Sequence, residues 1–112
     1  MEFAGRTALV TGAGTGNGEA IAERLFTGGA SVGLVSRRLE SVDAVCRRID
    51  PEGERTLAIE ADVRDPKAME AAVQRIVERF GSLDLAVNNA GITGPAGAPV
   101  QDIEAETWLE VI

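Results

Sequence analysis

The residues of this chain best suited to chemistry are glycines. Thr11-Gly12-Ala13-Gly14-Thr15-Gly16-Asn17-Gly18 follows a short apolar run and opens a helical pattern. A turn of that kind aims several backbone N–H groups, and the positive end of a helix dipole, at one point. That suits a phosphate. Side chains at the glycine positions would hold a diphosphate off the backbone, or keep the helix from packing close to the strand. The other reading is a plain loop, since turns and helix starts collect glycine for conformational reasons. A strand before and a helix after favour the phosphate. No Gly-Lys-Ser or Gly-Lys-Thr ends the stretch, and the one lysine, Lys67, is far downstream, so the P-loop reading fails.

Three more polar groups stand at the ends of apolar runs. Ser36-Arg37-Arg38 closes the second run. In dinucleotide-binding folds an acid near this place holds the adenosine ribose, whereas arginine accommodates a 2′-phosphate. Ser36 takes the acid's place here, and guanidinium groups pair well with phosphate, so NADP is favoured over NAD. Alternatively, both arginines lie on the exposed start of a helix, although cations there oppose the dipole. Asp62, at the end of the third run, either accepts a hydrogen bond from an adenine amino group or caps a turn. Asn88 and Asn89 carry donors and acceptors able to serve a ribose or to satisfy backbone groups.

Positioning these groups takes alternating strands and helices. Thr7-Ala8-Leu9-Val10 has the continuous apolar character of a strand buried on both faces. Ile21, Ala22, Leu25 and Phe26 mark a helix from about Gly16 to Thr27, ended by Gly28-Gly29 in the left-handed conformation. Ala30 to Val35 is the second strand. Leu39, Val42, Cys46 and Ile49 mark the second helix, and Asp50-Pro51-Glu52-Gly53 is a turn. The third strand runs from Thr56 to Ala61. Asp65 caps the third helix with Pro66 at its first position; Met69, Ala72, Val73, Ile76, Val77 and Phe80 form its apolar stripe, and Gly81 stops it. Leu83 to Val87 makes a fourth strand. After a loop rich in glycine and proline, Ile103, Trp108, Leu109 and Ile112 mark a last helix. This alternation predicts an α/β fold, a Rossmann-like doubly wound parallel sheet in the order 3-2-1-4 with right-handed crossovers. The order reverses between strands one and four, where ligands bind. The glycine turn and Asn88-Asn89-Ala90-Gly91 therefore converge on one crevice.

Composition sets the outer limits. A chain of 112 residues makes one domain, spanning 1–112, with an ordinary core. Its net charge of −7 opposes binding to nucleic acid or to an anionic membrane surface. A single cysteine, Cys46, excludes an internal disulfide, and with no histidine the chain has poor material for a metal site. Neither a secretory signal nor an apolar run of membrane length is evident, so a cytoplasmic location is expected.

Thr11 to Gly18, Asp62-Val63 and Asn88-Asn89-Ala90-Gly91, in that order, resemble the short-chain dehydrogenase/reductase family over the whole chain. The sequence is similar to the 3-oxoacyl-carrier-protein reductases and related NADP-linked alcohol or ketone oxidoreductases. The resemblance implies hydride transfer between NADP(H) and a small alcohol or ketone substrate. It implies Gly12, Gly14, Thr15 and Asn17 along the cofactor phosphates, with Gly16 and Gly18 completing the turn. Arg37 would lie by the 2′-phosphate beside Ser36 and Arg38, Asp62 and Val63 at adenine, and Asn89 with Ala90 and Gly91 near ribose. Two departures stand out. Asn17 replaces the isoleucine usual in the family. The family's serine, tyrosine and lysine, which run proton transfer, have no match here, because the chain has no tyrosine and Lys67 is not a substitute. The chain is therefore expected to be the amino-terminal half of such an enzyme, truncated before a fifth strand and inactive alone. An open sheet edge would then favour self-association or a homo-oligomer. The alternative is a stand-alone dinucleotide-binding or regulatory module without catalysis.

Overall fold

The computed structural model describes residues 2–14 and 16–89. In chain order its elements are β1 (Thr7–Thr11), α1 (Gly16–Thr27), β2 (Ser31–Ser36), α2 (Leu39–Ile49), β3 (Thr56–Glu60), α3 (Pro66–Phe80) and β4 (Leu85–Asn88). The strands are parallel and lie in the order β3-β2-β1-β4, so the expected reversal between β1 and β4 is present. The last helical pattern, with Ile103, Trp108, Leu109 and Ile112, lies outside the described residues.

Side chains alternate across a strand, and the core divides accordingly. Ala8, Val10, Val32 and Leu34 pack with Ala22 and Leu25 of α1 and Val42 and Val45 of α2. Leu9, Val35 and Ile59 pack on the opposite face with Met69, Ala72 and Ile76 of α3. Helices on both faces explain why the strands read as unbroken apolar runs. Leu9, Leu34 and Ile76 are wholly buried, each stabilising the fold by roughly 1.5–3 kcal/mol.

Local signals end the elements, with small departures from the expected bounds. At the end of α1, Ala30 N–H donates to Leu25 C=O and Gly29 N–H to Phe26 C=O, each at 3.0 Å. This is a Schellman cap, and it takes Ala30 out of the second strand, which starts at Ser31 instead. Only Gly29 of the glycine pair has positive φ; Gly28 is there because a side chain would run into Phe3. Asp65 accepts the N–H groups of Lys67 and Ala68, with Pro66 opening α3 as expected. Between α2 and β3, the Asp50 carboxylate accepts the Arg55 N–H and the Thr56 hydroxyl, both at 2.9 Å. Burial opposes its ionisation, but these hydrogen bonds outweigh burial and hold the carboxyl below its ordinary range.

The fourth strand begins at Leu85 rather than Leu83. Asp84 N–H donates to Thr7 C=O, and the Asp84 carboxylate accepts the Thr7 N–H, both at 2.9 Å. A side chain thus replaces the first rung of the ladder, while Leu83 is buried beneath α3. Among the described residues no helix is long and apolar enough to cross a membrane.

Candidate functional site

The carboxyl ends of β1 and β4 are joined through one hydroxyl. The strands' last paired residues are Thr11 and Asn88. Thr11 Oγ1 donates to Asn88 Oδ1 at 2.7 Å and accepts the Asn89 N–H at 2.9 Å. Both Thr11 and Asn88 are buried, where unpaired polar groups would be costly. Of the two readings of Asn88, the structure therefore has the one in which its amide serves the protein.

The turn after β1 presses against this junction. A Cβ added at Gly18 would overlap the Gly12 carbonyl oxygen and lie 2.9 Å from Asn89 Nδ2. Only glycine lets α1 start so close to the end of β1. The Gly16 backbone turns through φ +58°, with open space where its Cβ would be. The first N–H groups of α1 have no helical acceptor, a geometry that suits an anion. The turn is also tied sideways, since Ala13 N–H donates to Val35 C=O at 3.4 Å. These features fit a diphosphate. Asn17 is exposed and shares an open groove of about 400 Å³ with Ile21, Leu25 and Asn89. Solvation there suits a polar side chain.

The ends of β2 and β3 lie beside that of β1 in the sheet. Ser36 pairs in register with Glu60, and Ala61 N–H donates to Ser36 C=O at 2.9 Å. The ladder ends there, with Arg37 and Arg38 next on one segment and Ala61 and Asp62 next on the other. Ser36 Oγ accepts the Arg38 N–H at 3.1 Å. Both arginines are exposed, and neither forms an ion pair among the described residues.

Asp62 adopts the turn-capping reading. Its Oδ1 accepts the Arg64 backbone N–H at 2.9 Å and Arg64 Nε at 3.1 Å, while Oδ2 accepts Arg64 Nη2 at 2.9 Å. Hydrogen bonds from the Arg64 side chain and backbone, with the Arg64 and Arg37 charges behind them, lower its pKa from 3.8 to about 2. A carboxylate oxygen has two lone pairs. Oδ2, with one bond, keeps capacity for an amino group. Val63 packs against the core under α3.

Gly12, Gly14, Gly16, Asn17, Gly18 and Asn89 are thus brought to one end of β1 and β4, and Ser36, Arg37, Arg38, Asp62 and Val63 to the adjoining end of β2 and β3. Thr15, Ala90 and Gly91 lie outside the described residues. Sequence reasoning missed Arg64 and the bridging role of Thr11. An Asp-x-Arg spacing after a strand is a usable signal for the first; the second has no local signal.

Known proteins are similar to this chain in sequence and in fold. The family described as short chain dehydrogenase matches residues 6–112. Cis-4-hydroxycyclohexanecarboxylate dehydrogenase of Sinomonas cyclohexanicum is 40% identical over 110 residues, which are 98% of this chain and 43% of that protein. The 15-hydroxyprostaglandin dehydrogenase [NAD(+)] of Mus musculus is 42% identical over 82% of this chain and 35% of its own length. A short chain dehydrogenase from Burkholderia cenocepacia J2315, solved in complex with NADP, superposes with a TM-score of 0.77 at 45% identity, covering 84% of this chain and 39% of that one. The chain therefore spans less than half the length of these relatives.

Proposed function

The chain belongs to the short-chain dehydrogenase family, and on that premise we propose that it is the cofactor-binding part of an NADP-dependent oxidoreductase acting on a small alcohol or ketone. One observation carries the reading: Gly12, Gly18 and Asn89 meet at the end of β1 and β4 while Arg37, without an ion pair among the described residues, stands at the adjoining end of β2. In this reading Gly12, Gly14, Thr15 and Gly16, with the first N–H groups of α1, bind the diphosphate, and Asn17 and Gly18 complete that turn. Ser36, Arg37 and Arg38 receive the 2′-phosphate, Asp62 and Val63 adenine, and Asn89, Ala90 and Gly91 ribose.

A nicotinamide dinucleotide supplies a hydride donor or acceptor when bound. The part of this chain is to bind and orient it. The sequence has no tyrosine, so the proton-transfer residue that the family resemblance implies is not among these 112 residues. Binding without turnover is the behaviour this reading assigns to the chain. Arginine in place of an acid after β2 supports NADP over NAD. The net charge of −7 argues against a nucleic-acid or anionic-membrane partner and suits a cytoplasmic protein. Among the described residues β4 pairs on one side only, an arrangement that favours self-association through its other edge.

Calorimetric titration with NADPH and NADH tests the cofactor assignment. NADPH is expected to bind at least about tenfold tighter, a margin lost in Arg37→Ala while NADH binding stays the same. Equal binding of the two overturns the NADP preference. Failure to bind either overturns the cofactor reading.

A further inference from the structure

Resting on that reading of Arg37, we propose that Arg64 is a specificity-determining residue: by engaging Asp62, it keeps Arg37 available to the 2′-phosphate of the cofactor. Ser36 pairs with Glu60 and Ala61 N–H donates to Ser36 C=O at 2.9 Å, so Arg37 on one segment and Asp62 on the other each follow directly from a residue in that contact. An acid beside an arginine in that position is its natural partner. Yet among the described residues Arg37 forms no ion pair, and the Asp62 carboxylate is held by Arg64 instead.

Arg64 holds it with two nitrogens on two oxygens, at 3.1 Å and 2.9 Å, supplemented by its own backbone N–H at 2.9 Å. That fork is a geometry arginine offers and lysine does not. Stability does not account for it, because the Arg64 side chain is 75% exposed and exposed pairs contribute little. Its effect is on the neighbouring charge. A free Asp62 carboxylate would both draw in the Arg37 guanidinium and repel an incoming phosphate, and Arg64 removes both effects. The influence of the Arg37 charge on Asp62 ionisation places the two within electrostatic reach. Glu60, the other acid at this edge, makes no ion pair among the described residues.

Calorimetric titration of the chain with adenosine 2′,5′-bisphosphate and with adenosine 5′-monophosphate separates the possibilities, because their affinity ratio isolates the 2′-phosphate. Wild type should prefer the bisphosphate by about tenfold or more. Arg64→Met should lose most of that preference, and Asp62→Asn/Arg64→Met should recover it, since a neutral amide no longer attracts Arg37. Any loss of adenine contact at Asp62 affects both ligands alike and leaves the ratio alone. Arg64→Gln gives the same readout with less change in polarity, and thermal melts check that each variant is folded. A wild-type ratio in Arg64→Met overturns the inference and leaves the NADP reading standing. A double variant that fails to recover overturns it too, because Arg64 would then contact the phosphate itself. No preference in wild type overturns the NADP reading, and the inference with it.

Discussion

At the end of β1 and β4, Thr11, Gly18 and Asn88 are buried, and the hydroxyl of Thr11 links the two strands. At the end of β2 and β3, Arg37, Arg38 and Arg64 are exposed, and the one ion pair among them and Asp62 joins residues two apart. On the proposed reading, the first region sets the geometry of cofactor binding by contact and the second sets its selectivity by charge. A turn that must follow a diphosphate closely needs backbone held without slack, whereas a phosphate at the edge of a crevice needs only an available cation. Substitutions in the first region should therefore disturb folding and binding together. Those in the second should alter preference and pH response while leaving the fold intact.

The strongest test of that contrast is Gly18→Val. Its side chain would occupy the Gly12 carbonyl, which backbone displacement must relieve, at a cost of about 3 kcal/mol or more. Urea unfolding should show a much lower midpoint, and NADPH binding should disappear. A Gly18→Val chain as stable as wild type would mean that α1 does not need its close start. Thr11→Val should have a middling effect. It keeps the shape and removes a hydroxyl bonded to Asn88 and Asn89, costing about 1–3 kcal/mol by the same measurement. A neutral result would show that the junction is held by the ladder alone.

The smallest effect belongs to the exposed region. Asp62 has its folded-state pKa lowered from 3.8 to about 2. Its ionised form is therefore favoured by folding, and its contribution to stability is present above the ordinary pKa and fades as pH falls through the folded value. Asp62→Asn should be slightly less stable than wild type at neutral pH, and the gap should close as pH falls from 3.8 to about 2. Denaturant melts across that range provide the check. A gap that stays constant would assign the difference to something other than the carboxylate charge.

Element types and their order were legible because each has a local cause. A strand covered on both faces must be apolar through its middle, as residues 8–10 and 32–35 are, and a helix covered on one side must carry a stripe, as Met69, Ala72 and Ile76 do. Caps announce themselves in Asp65, Pro66 and Gly81. Even the convergence of the glycine turn with Asn89 followed from topology, because a doubly wound sheet has one reversal point. The strand bounds were legible to within two residues. Asp84 and Ala30 were missed because a side chain bonded across the sheet and a helix cap claimed them.

The remaining roles exist only where distant segments meet. Gly33, in the middle of β2, looks like a weak point in a strand until Ile76 of α3 is found filling the space of its missing side chain. Thr11 looks like part of a glycine turn, yet its hydroxyl closes a junction with a residue 77 positions away. Asp62 was equally an adenine acceptor or a turn cap on local grounds; in the folded chain its Oδ1 caps the turn through the Arg64 N–H, while Oδ2 keeps capacity for an amino group. Composition and periodicity specify which face of an element is buried, since that depends on one residue's own polarity. They do not specify which atom lies opposite, since that depends on the register and approach of two elements, and only the folded chain sets both.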